Sequence, residues 1–239
     1  MPDIFKTGNY KYPYHYKFDN LHRLVNNMEI KQFIFNPIQE NTYVIWNSDT
    51  KEGAIVDCGA LFEGEQQRLS DFIKENEIHI KYLLNTHMHF DHCLGSHWAA
   101  DKYGVKLMAH KGDADIASRL SEQIRMFGLP FEVKTEPIGI FIDESSELSL
   151  GNEQIKVIET PGHSQGGICF YIPTSNILLS GDTLFEGSIG RTDLEGGNYT
   201  QLIKSIKSKI SVLPAATKVY CGHGSYTTIG DELKYNPYL

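Results

Sequence analysis

Four potential metal ligands in six positions, His87-Met88-His89-Phe90-Asp91-His92, follow directly on the apolar, strand-like run Ile80 to Leu84. No other feature constrains this chain as strongly. A lone histidine is ordinarily structural, but four such side chains gathered at the C-terminal end of a strand are not accounted for by core packing. In extended backbone His87, His89 and Asp91 share one side, while His92 points elsewhere unless the chain bends into the following helix. The pattern therefore predicts two clusters of ligands. Neutral imidazoles and carboxylates suit zinc, iron and manganese, whereas calcium and magnesium prefer shells made only of oxygen.

Three further candidates stand at the ends of strand-like runs: His163 in Thr160-Pro161-Gly162-His163, Asp182 in Ser180-Gly181-Asp182-Thr183, and His223 in Cys221-Gly222-His223-Gly224. Each has a glycine beside it, which allows a tight turn and leaves room for a metal or ligand. Singly each is a weak signal. Asp57, closing another predicted strand, is placed to accept an imidazole N–H or to form an ordinary turn.

The rest of the chain alternates short β-like runs with helical ones. Strands are predicted at Ile30 to Phe35, Thr42 to Trp46, Ala54 to Asp57, Ile80 to Leu84, Lys106 to Ala109, Gln154 to Ile158, Ile168 to Ile172, Ile177 to Ser180 and Lys218 to Tyr220. Helices are predicted near Gly64 to Asn76, Leu94 to Tyr103, Asp113 to Met126 and Tyr199 to Ile210. This mixture of meanders and βα units indicates a layered α/β sandwich (α+β) in one domain, residues 28–239. Residues 1–27 are set apart by alternating Tyr10, Tyr12, Tyr14, Tyr16 and Phe18; they read either as an upstream misreading of the start codon or as an aromatic arm that docks on the core or mediates oligomerisation.

No apolar run approaches the roughly 20 residues of a membrane helix. A net charge of −8 and the lack of a basic stretch argue against nucleic acid as a partner. The four cysteines form no CxxC pair and the N-terminus lacks a signal-peptide profile, so a cytoplasmic protein with reduced thiols is expected.

Taken in order, HxHxDH, a histidine after Pro-Gly, an aspartate after glycine and a histidine before glycine resemble the metallo-β-lactamase superfamily. Arg125-Met126-Phe127-Gly128-Leu129, Gly190-Arg191-Thr192-Asp193 and Asn236-Pro237-Tyr238-Leu239 make the chain most similar to the short bacterial type II glyoxalase-like (hydroxyacylglutathione hydrolase-like) hydrolases. The resemblance implies a four-layer αββα sandwich. It also implies one metal on His87, His89 and His163, a second on Asp91, His92 and His223, and Asp182 bridging them.

Two divalent ions, expected to be zinc with iron or manganese as alternatives, would leave the site with a charge of roughly +1 once two carboxylates and a bridging hydroxide are counted, so an anionic small molecule is the expected substrate. Metal-bound water with a pKa near 7 would supply the nucleophile. The expected reaction is hydrolysis of a small thioester or ester by metal-bridging hydroxide, with Asp91 handling the proton and Asp182 as the catalytic bridge. Because Asp182 stands where a cysteine would favour a lactamase, β-lactam hydrolysis is not expected. Arg191 is a candidate clamp for a substrate carboxylate, with an Arg191–Asp193 ion pair as the structural alternative. Tyr226 is a second candidate for substrate contact. Met126 and Phe127 read as pocket wall or as core. Only sixteen residues follow His223, so a helical glutathione-gripping extension is not expected and thioesterase activity should be weak or broad. Two alternatives remain: a mononuclear-iron persulfide dioxygenase and a non-catalytic, metal-stabilised binding protein.

Overall fold

Alternation along the strands decides the architecture. In the computed structural model, which describes residues 27–130 and 132–239, β1 (Met28–Phe35), β2 (Glu40–Asn47), β3 (Glu52–Val56), α1 (Glu63–Glu75) and β4 (His79–Leu84) come first. They are followed by α2 (Ser96–Tyr103), β5 (Leu107–Ala109), α3 (Ala114–Ser118), α4 (Leu120–Met126) and β6 (Ile140–Phe141). Together the six strands make one sheet in the order β1-β2-β3-β4-β5-β6. The second half supplies β7 (Leu148–Leu150), β8 (Glu153–Glu159), β9 (Ile168–Ile172), β10 (Ile177–Gly181), the small hairpin β11 (Leu184–Phe185) and β12 (Ser188–Ile189), α5 (Tyr199–Ser205), β13 (Lys218–Cys221), β14 (Thr227–Thr228) and α6 (Ile229–Tyr235). Its main sheet runs β14-β13-β10-β9-β8-β7.

Three apolar seams follow from the period of two. Val44, Ile55 and Leu83 face Leu69, Ile73, Ala99 and Ile124 of the helices outside the first sheet. Their strand neighbours Ile45, Ala54, Val56 and Leu84 turn inward against Ile155, Val157, Phe170 and Leu179 of the second sheet. Cys169, Tyr171 and Val219 then face outward against Leu202, Ile206 and Ile229. Both sheets are buried on both faces, and helices cover each outer one, which is the expected αββα order of layers.

Several predicted elements differ in detail. The helix expected over Asp113 to Met126 is interrupted at Arg119, whose φ of −109° and ψ of 25° leave the helical region between α3 and α4. The helix from Tyr199 widens into a π turn over Ile206–Ile210. The predicted strand end at Asp57 lies one residue past β3, and Asp57 adopts a left-handed φ of 54°. Residues 1–27, read as a separate segment, lie outside the described residues except Asn27, whose carbonyl accepts from the Ser48 amide at 2.7 Å.

Topology brings the strand ends carrying the chemistry to one edge. β10 runs parallel to β13 with Gly181 opposite Cys221, and β8 and β10 are both antiparallel to β9. The C-termini of β8, β10 and β13 therefore emerge together, delivering His163, Asp182 and His223. The Ile168 amide donates to the Thr86 carbonyl at 2.8 Å, tying this edge to the turn that follows β4.

Candidate metal centre

At that edge His87, His89, Asp91, His92, His163, Asp182 and His223 converge. One ligand atom each from His87, His89 and His163 fall within 4.8 Å of one another, as do those of Asp91, His92 and His223 and those of His87, His92 and Asp182. His163 Nε2 lies 2.8 Å from His89 Nδ1 and 3.3 Å from His87 Nε2. Asp182 spans the two groups: its Oδ1 is 3.4 Å from His92 Nε2, and its Oδ2 is 3.5 Å from His163 Nε2 and 3.8 Å from His223 Nε2. His223 Nε2 lies 3.1 Å from Asp91 Oδ2.

The far nitrogens are tied down by neighbours that fix the tautomer. His163 Nδ1–H donates to the Arg191 carbonyl at 2.8 Å and His223 Nδ1–H to the Gln39 carbonyl at 3.2 Å. Thr86 Oγ1 gives its hydrogen to Asp57 Oδ2 at 2.7 Å, so toward His87 Nδ1, 3.0 Å away, it acts as acceptor. Each of these three rings thus keeps the Nε2 lone pair turned to the cluster, the usual arrangement around metal-binding histidines. The same Asp57 Oδ2 lies 3.1 Å from His92 Nδ1, and Oδ1 accepts from the Thr86 amide at 2.7 Å.

Electrostatics hold His87, His89 and Asp182 in the form that can donate to a metal. Burial, then the neighbouring imidazoles His92, His163 and His89, push His87 well below the ordinary histidine value. Burial and His163 bring His89 down to about 3. Burial opposes ionisation of Asp182, but His92, His163 and His87 outweigh it and hold the carboxyl well below the usual range. Burial likewise opposes the positive form of His92, yet the carboxylates of Asp91, Asp182 and Asp57 raise it well above the ordinary value.

The residues fit a pair of cations. His92 Nε2 and Asp182 Oδ1 are buried polar atoms with no hydrogen-bond partner, an expensive arrangement that a shared cation resolves. Gly222 explains itself in the same terms: a Cβ there would run into Asp182 Oδ1 and approach His92 Cε1 at 2.8 Å, filling the space between donors. Gly181 has a φ of 49°, and a side chain on it would collide with the Thr86 hydroxyl.

Three contributors carry no sequence signal that singles them out. Buried Glu40 accepts from Thr42 Oγ1 at 2.9 Å and approaches His92 Nδ1 at 4.0 Å; burial raises its carboxyl well above the usual range. Asn85 donates to the carbonyls of His92 at 2.9 Å and His87 at 3.3 Å, pinning both ends of the ligand turn. Asp113 heads α3 as a capping residue would, but its carboxylate accepts instead from Met88 N at 3.0 Å, Ser164 Oγ at 2.8 Å and Gly166 N at 2.6 Å, clamping two ligand loops together.

The expected substrate contacts divide. Arg191 lines the cleft over the donors, but Nε and an NH2 fork onto Asp193 at 2.7 and 2.8 Å, the structural alternative considered for it. Tyr226 does not line this cleft; 57% exposed, its ring lies tilted against Tyr220 at 5.9 Å, just past the left-handed turn at Gly224. Met126 and Phe127 form cleft wall rather than core. All four cysteines are buried and free, and burial keeps their thiols protonated.

Residues 35–223 match the family described as the metallo-beta-lactamase superfamily. The chain belongs to that superfamily. It is 37% identical over 213 residues to hydroxyacylglutathione hydrolase GloC of Haemophilus influenzae, covering 89% of this chain and 98% of GloC. Among solved structures it is similar to BLEG-1 B3 metallo-beta-lactamase at 36% identity and a TM-score of 0.80, covering 88% of this chain and 99% of that one. TTHA1623 in a di-iron-bound form follows at 30% identity and a TM-score of 0.78, covering 87% and 100%. The superfamily's divalent-metal chemistry is what the donor set in this cleft is built to hold.

Proposed function

We propose that this protein is a binuclear metallohydrolase that cleaves a small thioester or ester. The observation that carries the reading is Asp182, which reaches both triads of donors in one open cleft; similarity to GloC supports the thioester class. His87, His89 and His163 would hold one divalent cation, Asp91, His92 and His223 the other, with Asp182 shared. Structural zinc sites are usually closed by four ligands, whereas seven ligands over two ions leave positions for water and substrate. When bound, such ions polarise a carbonyl and bring the pKa of water to about 7.

The chain's own groups do the rest. Asp57, directly and through Thr86, orients His92 and His87. Asp91, its Oδ2 on His223, is the carboxylate placed to take the proton of the attacking water and return it to the departing thiolate. Zinc is the first choice of metal, with iron, seen in the di-iron form of TTHA1623, or manganese as the alternative. Among the described residues no helix is long and apolar enough to cross a membrane, and a cytoplasmic location is part of the proposal.

Metal counting and a substrate panel on one sample test this reading. Two metals per chain with thioester or ester cleavage, abolished in His89→Ala while the fold persists, is the expected result. One iron per chain with oxygen uptake on a persulfide would make it a dioxygenase, and bound metal with no turnover a binding protein. A β-lactam in the same panel, prompted by the likeness to BLEG-1, is expected to be left intact.

A further inference from the structure

Above the donors lies a cleft of about 460 Å³, within the usual range for a small-molecule site. One of its walls is apolar. Phe90 sits between the ligands His89 and Asp91, and its ring packs at 4.9 Å on Phe127, so an apolar wall begins one residue from the metal site. Met126 at 75% exposure and Phe127 at 42% continue it along the end of α4, while Phe185 and Ile189 of the β11–β12 hairpin face the same space. Large apolar side chains left in solvent around a cleft mark a binding surface rather than a packing defect.

The cations of this cleft are already matched. Arg119 forks onto Glu195 at 2.9 and 3.0 Å and also holds Asp115 at 2.7 Å; Arg191 forks onto Asp193. Glu122 adds a further acid, and among the described residues no lysine lines the space. An anionic arm entering here would exchange one carboxylate partner for another, with no net ion pair gained. An apolar arm gains by leaving water, at about fourfold per methylene buried.

We infer that the substrate arm beside the cleaved bond is uncharged and apolar, seated on Phe90, Met126 and Phe127. This rests on the thioester or ester reading above and narrows it: the cations attract the reacting oxyanion, while the arm is chosen by apolar surface. Either the acyl chain or the thiol moiety can supply that arm, and the test separates them.

Linear acyl thioesters from acetyl to hexanoyl, each made with glutathione and with neutral alkyl thiols from ethyl to hexyl, are assayed with the metal-loaded enzyme. The expected result is a kcat/KM that rises about two- to fourfold per methylene on whichever side supplies the arm, with no advantage for the charged thiol. Met126→Glu should flatten that dependence, and circular dichroism checks that it folds. Rates independent of length on both the acyl and the thiol side, or a preference for glutathione over every neutral thiol, overturn the inference. Calorimetric binding of linear carboxylic acids, acetate to octanoate, reads the wall without turnover. Affinity that climbs with length supports the inference even if no thioester is cleaved, in which case the hydrolase reading alone fails; affinity independent of length, together with rates independent of thiol length, removes the inference even if thioesters are cleaved.

Discussion

Asp57 contacts both halves of the metal centre, through Thr86 to His87 and directly to His92, and it does so from a left-handed backbone that asparagine and aspartate tolerate better than most residues. Asp57→Ala should weaken metal binding about 10- to 100-fold, measured by competition with a chelating dye, with Asp57→Asn intermediate because it keeps the backbone preference and part of the hydrogen bonding. At Asp193 the Arg191 fork lowers the carboxyl to about 2. A carboxyl depressed below its unfolded value of about 3.9 stabilises the fold above that pH, and the contribution is lost as pH falls toward 2; with both side chains exposed it is small. Carbon-13 titration should place the Asp193 midpoint near 2 and raise it toward the ordinary value of about 3.9 in Arg191→Ala, part of the depression remaining with the backbone hydrogen bond. At this scale the seven candidate donors were legible because each is a titratable residue at the end of a strand-like run, four of them within six positions. Glu40, Asn85 and Asp113 were not, because what marks them is a contact: Asp113 reads as a helix cap until its carboxylate is seen on Met88 and Gly166, 25 and 53 residues away.

Loops rather than strands carry the ligands, and what keeps those loops together is correspondingly local. Asp113 joins the turn at Met88 to the turn at Ser164–Gly166 with three accepted hydrogen bonds in a buried place. Asp113→Ala leaves those donors unpaired and should cost about 3 kcal/mol in urea unfolding, with metal content falling alongside. Strands such as Ile168–Ile172 were readable from their apolar runs, and α1 from Leu69, Phe72 and Ile73 at helical spacing. The two-residue strands β6, β11, β12 and β14 are too short to show any period, and the break between α3 and α4 is set by Arg119, whose guanidinium reaches Glu195 across the cleft.

For the whole molecule, the second sheet brings three of the seven candidate donors and the turn after β4 brings four, so under the proposed function bound metal would link the two halves of the sandwich. Removing it leaves Asp91 and Asp182 facing each other among unpaired buried atoms. Chelation should lower the Tm reversibly, and free metal at about a thousand times its Kd restores about 4 kcal/mol, read by thermal melts across a metal titration. The C-terminal ends of β3, β4, β8, β10 and β13 all open on the ligand edge, which leaves the turns at 48–51, 151–152 and 173–176 on the opposite rim. One rim is committed to chemistry while the other merely closes hairpins, so a lineage descended from this sandwich has a place to lengthen, fuse or decorate its chain without renegotiating its reactive face.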